Sequence, residues 1–117
     1  MLILPNNYHI IYKITFLRVM AMISTKCSLK VFNFRHVHKP GTLKLDKQSK
    51  KLIFKEDGIG TEFSYTLDIV NIKEKEFKKG ILKEHIKIFY DNEWYNFTNF
   101  TDENYRIINK ELDSLLA

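Results

Sequence analysis

The residues able to do chemistry in this chain are few. In Arg35-His36-Val37-His38 the two histidines form the natural start of a metal site, with Cys27 and His85 as further ligands. Zinc needs three or four ligands converging at about 2.0–2.3 Å, and two histidines in a basic loop do not establish that. They read as solvated loop residues. Cys27 has basic neighbours, and nearby positive charge lowers a thiol pKa. No histidine or acid at a recognisable spacing completes a nucleophile, so a buried or idle thiol is expected. Glu56, Asp57 and Glu62 cluster around glycines. They lack the alternating acidic pattern of a calcium loop and suit a turn instead. No phosphate-cradling glycine loop, dinucleotide fingerprint or serine elbow occurs. The expectation is a non-enzymatic protein, with no catalytic residue, cofactor or metal.

What remains is binding chemistry. The net charge of +5 conceals a split along the chain. Residues 26–55 carry nine basic groups against Asp46 alone, whereas residues 56–117 carry eight basic and thirteen acidic groups. Within the basic half, Lys44, Lys47, Lys50, Lys51 and Lys55 surround one expected hairpin, with Arg35 and Lys39 just before it. Lys47, Lys50 and Lys51 are expected to be solvated. Such a cluster raises a positive potential screened over about 8 Å at physiological salt, and these seven residues are the candidates for contact with an anionic partner. Nine Phe, six Tyr and one Trp are interleaved with the lysines, which invites base stacking. Phe54, Phe63, Tyr65, Tyr95 and Phe97 fall at inward positions of strand alternation, where core packing is the default. Phe89 and Trp94 fall on the opposite register and are the candidate aromatic contacts. Nucleic acid is therefore the disfavoured partner, given the missing motifs and the acidic second half.

The elements that must position these groups are short strands separated by turn residues. Leu29 and Val31 flank Lys30. Pro40-Gly41 signals a turn. Leu43 and Leu45 alternate with Thr42, Lys44 and Asp46, and Leu52 and Phe54 with Lys51, Ile53 and Lys55. Asp57-Gly58 with Gly60 is the next turn. Phe63, Tyr65 and Leu67 form another strand, Val70 and Ile72 a further one, and Lys78-Lys79-Gly80 a break. Ile86, Ile88 and Tyr90 lead through the hairpin loop Asp91-Asn92-Glu93 into Trp94 to Phe97. The period then changes. Tyr105, Ile108, Leu112 and Leu115 fall on one helical stripe, with Thr101 or Asp102 to cap its start. About seven antiparallel strands closed by one C-terminal helix predict a mainly β, partly open barrel.

The first 24 residues stand apart as an N-terminal tail or extra element. Pro5, Asn6 and Asn7 interrupt them, and Lys13 and Arg18 cut the remainder into runs well short of the roughly 20 residues a membrane span needs. Met20 and Met22 offer alternative starts to Met1. The remaining residues, 25–117, make one domain, as 117 residues allow. A single cysteine excludes an intramolecular disulfide and points to a reducing, cytoplasmic compartment.

Gly41-Thr42-Leu43-Lys44-Leu45 followed by Lys51-Leu52-Ile53-Phe54 resembles the opening strands of GRAM and bacterial pleckstrin-homology-like (PH-like) domains. Phe63-Ser64-Tyr65 with Ile69-Val70-Asn71-Ile72 is similar to their next two strands. Ile86-Lys87-Ile88-Phe89 with Trp94-Tyr95-Asn96-Phe97 and the helix is similar to their close. The resemblance covers residues 26–116 and implies a binding scaffold. Two partners fit it: a protein, in an interaction or inhibitory role in a bacterial or mobile-element setting, or an anionic lipid surface that would place the protein at the membrane periphery.

Overall fold

The computed structural model describes residues 22–31, 38–58, 64–80 and 83–116. Strand alternation is realised in seven strands: β1 (Met22–Val31), β2 (Lys39–Asp46), β3 (Lys51–Glu56), β4 (Ser64–Asp68), β5 (Glu74–Lys79), β6 (Glu84–Tyr90) and β7 (Glu93–Thr98). They form one sheet in the order β4-β3-β2-β1-β7-β6-β5, with every ladder antiparallel. β1 joins the two meanders, and β4 and β5 are left as unclosed edges. The fold is mainly β: a partly open barrel with one helix, α1 (Asn104–Leu116), at its C-terminal end.

The inner face carries Cys27, Leu29, Val31, Leu43, Leu45, Leu52, Phe54, Leu67, Ile86, Ile88, Tyr95 and Phe97, all buried. The expected inward rings pack there, Phe54 at 6.0 Å from Phe97 and Tyr65 edge-on to Tyr95 at 5.5 Å. Tyr105, Ile108 and Leu112 bury the helix stripe against this core, and Leu115 and Leu116 pack beside them. The helix start is fixed by Asp102. Its carboxylate accepts from the Asn104 N–H (3.0 Å), the Thr25 hydroxyl (2.5 Å) and the Lys26 N–H (3.2 Å). One side chain thus caps the helix and ties it to β1. Burial would raise this carboxyl's pKa, but those three hydrogen bonds outweigh it and hold the group below the usual carboxylate range.

Two turns follow from local chemistry. In the β2–β3 connection Asp46 Oδ1 accepts from the Gln48 and Ser49 N–H groups, and Lys50 takes a left-handed φ of 54°. Asp91 and Asn92 (φ 50° and 62°) make the two-residue β6–β7 turn, whose twist matches the strands it joins.

Three expectations are corrected. Val70 and Ile72 do not form a strand; Ile69–Asn71 is a 3-10 turn that buries Ile69 and leaves Val70 exposed. The fifth strand lies further on, over Glu74–Lys79, and includes the lysines expected to break the chain. It is an edge strand rich in charge, a composition that protects an open edge and hides the apolar alternation. Pro40-Gly41 is likewise part of β2 rather than a turn. A Cβ on Gly41 would lie 2.6 Å from Phe54 Cζ and collide with the Lys55 carbonyl, so this glycine permits a close strand approach.

Candidate functional site

The register fixes where the candidate side chains stand. Leu43 and Leu45 point inward, so Lys44 points outward beside Ile53 and Ser24. Lys55 is outward on β3, level with Thr42 and, one strand further, Lys26. On the other side of β1, Lys30 pairs across from Asn96, and Asn96 from Lys87. Phe89 and Trp94 stand opposite each other at the next outward position. Lys44, Lys55, Lys30 and Lys87 therefore lie on one continuous outer face, with the aromatic pair at one side of it. Phe89 and Trp94 are half-buried, tilted against one another with centroids 5.1 Å apart. Neither ring is free to act as a flat stacking platform.

Of the other lysines of the expected basic cluster, Lys47 and Lys39 are held in ion pairs within the fold. Lys47 reaches from the β2–β3 turn to Glu111 of α1 at 2.8 Å, so it is not the solvated tip residue that its sequence setting implies. Lys51 stands between Asp46 and Asp68 on the flanking strands, where opposite charges stabilise each other across the ladder. Lys39 lies 4.0 Å from Glu56, and Lys26 binds Asp57 at 3.0 Å. Lys50 and Lys51 are exposed, and neither has an ion pair among the described residues. Arg35, His36 and Phe63 lie outside the described residues, as do residues 1–21.

The basic and acidic halves of the chain therefore fold onto each other instead of forming two opposed faces. α1 is the clearest case. Glu111 takes Lys47 of the basic half, while Asp113 takes Lys75 of β5, a lysine of the acidic half itself, at 2.8 Å. Lys75 is only 6% exposed and also donates to Asn109.

Sequence reasoning missed Lys30, Lys87 and Asn96 as neighbours, because they lie on three different strands and only the β1–β7 pairing brings them together. Cys27 is buried, and burial, followed by the charge of Asp102, pushes its thiol up to about 12. Among the described residues no three His, Cys, Asp or Glu side chains converge. Shallow clefts of 520 Å³ and 280 Å³ lie beside Val70–Lys73 with Tyr90, and between β5 and α1. No helix among the described residues is long and apolar enough to cross a membrane.

No protein-family model matches the chain, and its sequence matches no curated protein. Among solved structures it is similar to the C-terminal domain of an unknown protein from Leishmania infantum, at 16% identity and a TM-score of 0.62, over 94% of this chain and 99% of that one. At that identity the likeness concerns the fold alone.

Proposed function

We propose that this chain is a non-enzymatic PH-like, GRAM-like binding module. Its outer sheet face, around Lys44, Lys55, Lys30 and Lys87 with Phe89 and Trp94, docks a protein partner in the cytoplasm. Two meanders joined through β1 and closed by one C-terminal helix support the family reading. The observation that carries the choice of partner is the placement of charge. A lipid-surface module is best served by a protruding tip of unpaired cations. Here Lys47 is drawn back to α1 and Lys51 is flanked by two aspartates, leaving Lys50 at the tip. Further lysines without ion pairs lie across a broad face on which Glu76 of β5 stands opposite Lys87. Mixed charge with a half-buried aromatic pair suits a protein surface, where charge sets orientation and rings supply contact area.

Vesicle sedimentation checks this directly. The full chain should bind vesicles containing 20–30% phosphatidylserine, on the order of common anionic test membranes, no better than neutral vesicles at about 0.15 M salt. Strong, salt-sensitive sedimentation abolished by Lys50→Glu would replace the protein partner with a lipid surface.

A further inference from the structure

The two open edges of the sheet differ in kind. β5 carries Glu74, Lys75, Glu76, Lys78 and Lys79 in a strand of six residues. Paired antiparallel with its own copy, it would set Lys75 opposite Lys78, Lys75 opposite Lys79 or Glu76 opposite itself, according to register. Like charges opposed across a ladder repel, and such charges keep an edge from being extended. β4 reads Ser64-Tyr65-Thr66-Leu67-Asp68, with one charge at its end and neither lysine nor proline. Its free backbone groups can be assigned. The Ile69 N–H donates to the Lys50 carbonyl at 3.0 Å, which extends the β3–β4 ladder. By strand alternation Tyr65 and Leu67 turn their peptide groups to β3, and Ser64, Thr66 and Asp68 turn theirs to the open edge. Accordingly the Asp68 N–H donates away from β3, to the Tyr90 hydroxyl at 3.4 Å. The peptide groups of Ser64 and Thr66 have no partner among the described residues, and both side chains are exposed.

We infer that β4 is a dimerisation edge: it pairs antiparallel with β4 of a second copy of this chain, about a two-fold axis at Thr66. In that register Thr66 exchanges both backbone hydrogen bonds with its counterpart, and each Ser64 N–H reaches the Asp68 carbonyl of the other copy. The side chains suit the pairing. Threonine stands beside threonine, a favourable cross-strand pair, Asp68 falls opposite Ser64, and Tyr65 opposite Leu67, so no like charges meet. The occupant is a second copy because the strand is complementary to itself in charge and in hydrogen bonding. Symmetry also ends the assembly at two. The isologous contact consumes both β4 edges, and the charged β5 edges lie at the two ends of the joined sheet. A ladder of five residues covers less than the roughly 1,000 Å² that a stable interface needs, so the dimer is weak and depends on concentration.

Analytical ultracentrifugation of the full chain from about 10 μM to 1 mM tests this. Monomer and dimer should interconvert reversibly, with both present near roughly 0.1 mM, as suits an interface below standard size. Thr66→Lys sets two ammonium groups against each other on the two-fold axis and should raise the dissociation constant about tenfold or more. Its melting temperature in dilute solution should stay within a few degrees of the parent, since lysine is a residue that open edges tolerate. Hydrogen exchange on the parent locates the contact. The Ser64 and Thr66 amides should exchange more slowly in concentrated than in dilute protein, and the β5 amides should not change. Should Thr66→Lys melt early, this exchange measurement decides, because it needs the parent alone. A monomer throughout the range, a dimer indifferent to Thr66→Lys, or protection that appears on β5 in place of β4 would overturn the inference. Docking of a protein on the outer face neither requires nor forbids this contact, so the two readings fail separately.

Discussion

Cys27 illustrates how position decides chemistry at the scale of one residue. Its basic neighbours alone would favour an activated thiol, but a buried or idle one is expected, and it points inward from β1 and is 5% exposed. With the thiol pushed up to about 12, the thiolate fraction at pH 8 is on the order of 10⁻⁴. Native protein should therefore react with a thiol reagent far more slowly than protein in denaturant, which absorbance assays will read. Equal rates in both would mean that the β1 core face opens readily. Asp102 gives a second residue-scale expectation, with a defined sign. Its folded pKa is depressed, so its stabilising contribution is present above the unfolded carboxylate value near 3.9 and is lost as pH falls through the folded value. Asp102→Ala should cost about 1 kcal/mol at pH 7, typical of a lost cap. The gap between variant and parent in urea denaturation should shrink below about pH 4. A gap independent of pH would place the effect elsewhere.

At the scale of elements, α1 is held by one buried and one open clamp. Lys75 is 6% exposed and bonds both Asp113 and Asn109. Lys47 and Glu111 are 36% and 29% exposed, and pairs open to water contribute about 0–1 kcal/mol. Lys75→Ala should therefore destabilise by about 1–3 kcal/mol, through lost packing of the stem and an acceptor left unpaired. Lys47→Ala should change stability by less than about 1 kcal/mol. A reversal of that order in thermal melts would show that the turn, not β5, anchors the helix. The same elements show what a sequence discloses. Tyr105, Ile108 and Leu112 declare the helix by period, and Leu43, Leu45, Leu52 and Phe54 declare two strands by alternation. β5 escapes because an edge strand has one open side and carries charge there. Gly41 misleads because one residue type serves both turns and tight strand approaches.

Across the whole molecule, the charge split along the chain does not survive folding as a split between faces. Lys26, Lys39 and Lys47 of the basic segment meet Asp57, Glu56 and Glu111 of the acidic one. Cation counts by segment therefore overstate the field that a partner would feel at the β2–β3 tip. Of the expected site, outward Lys44 and Lys55 and the Phe89–Trp94 pair were legible from alternation alone. Their union with Lys30 and Lys87 was not, because that depends on β1 pairing with β7, a contact between residues more than sixty positions apart in the chain.

The most direct measurement compares two variants as bait in one capture experiment with lysate of the native host. One carries Lys44→Glu and Lys55→Glu on the outer face, and the other carries Lys50→Glu at the turn. All three lysines are outward or exposed, so both variants should melt within a few degrees of the parent, as surface changes usually do. A protein retained specifically by the parent should be retained by the turn variant and lost by the outer-face variant. Retention by the outer-face variant together with loss by the turn variant would contradict a docking surface on the outer face.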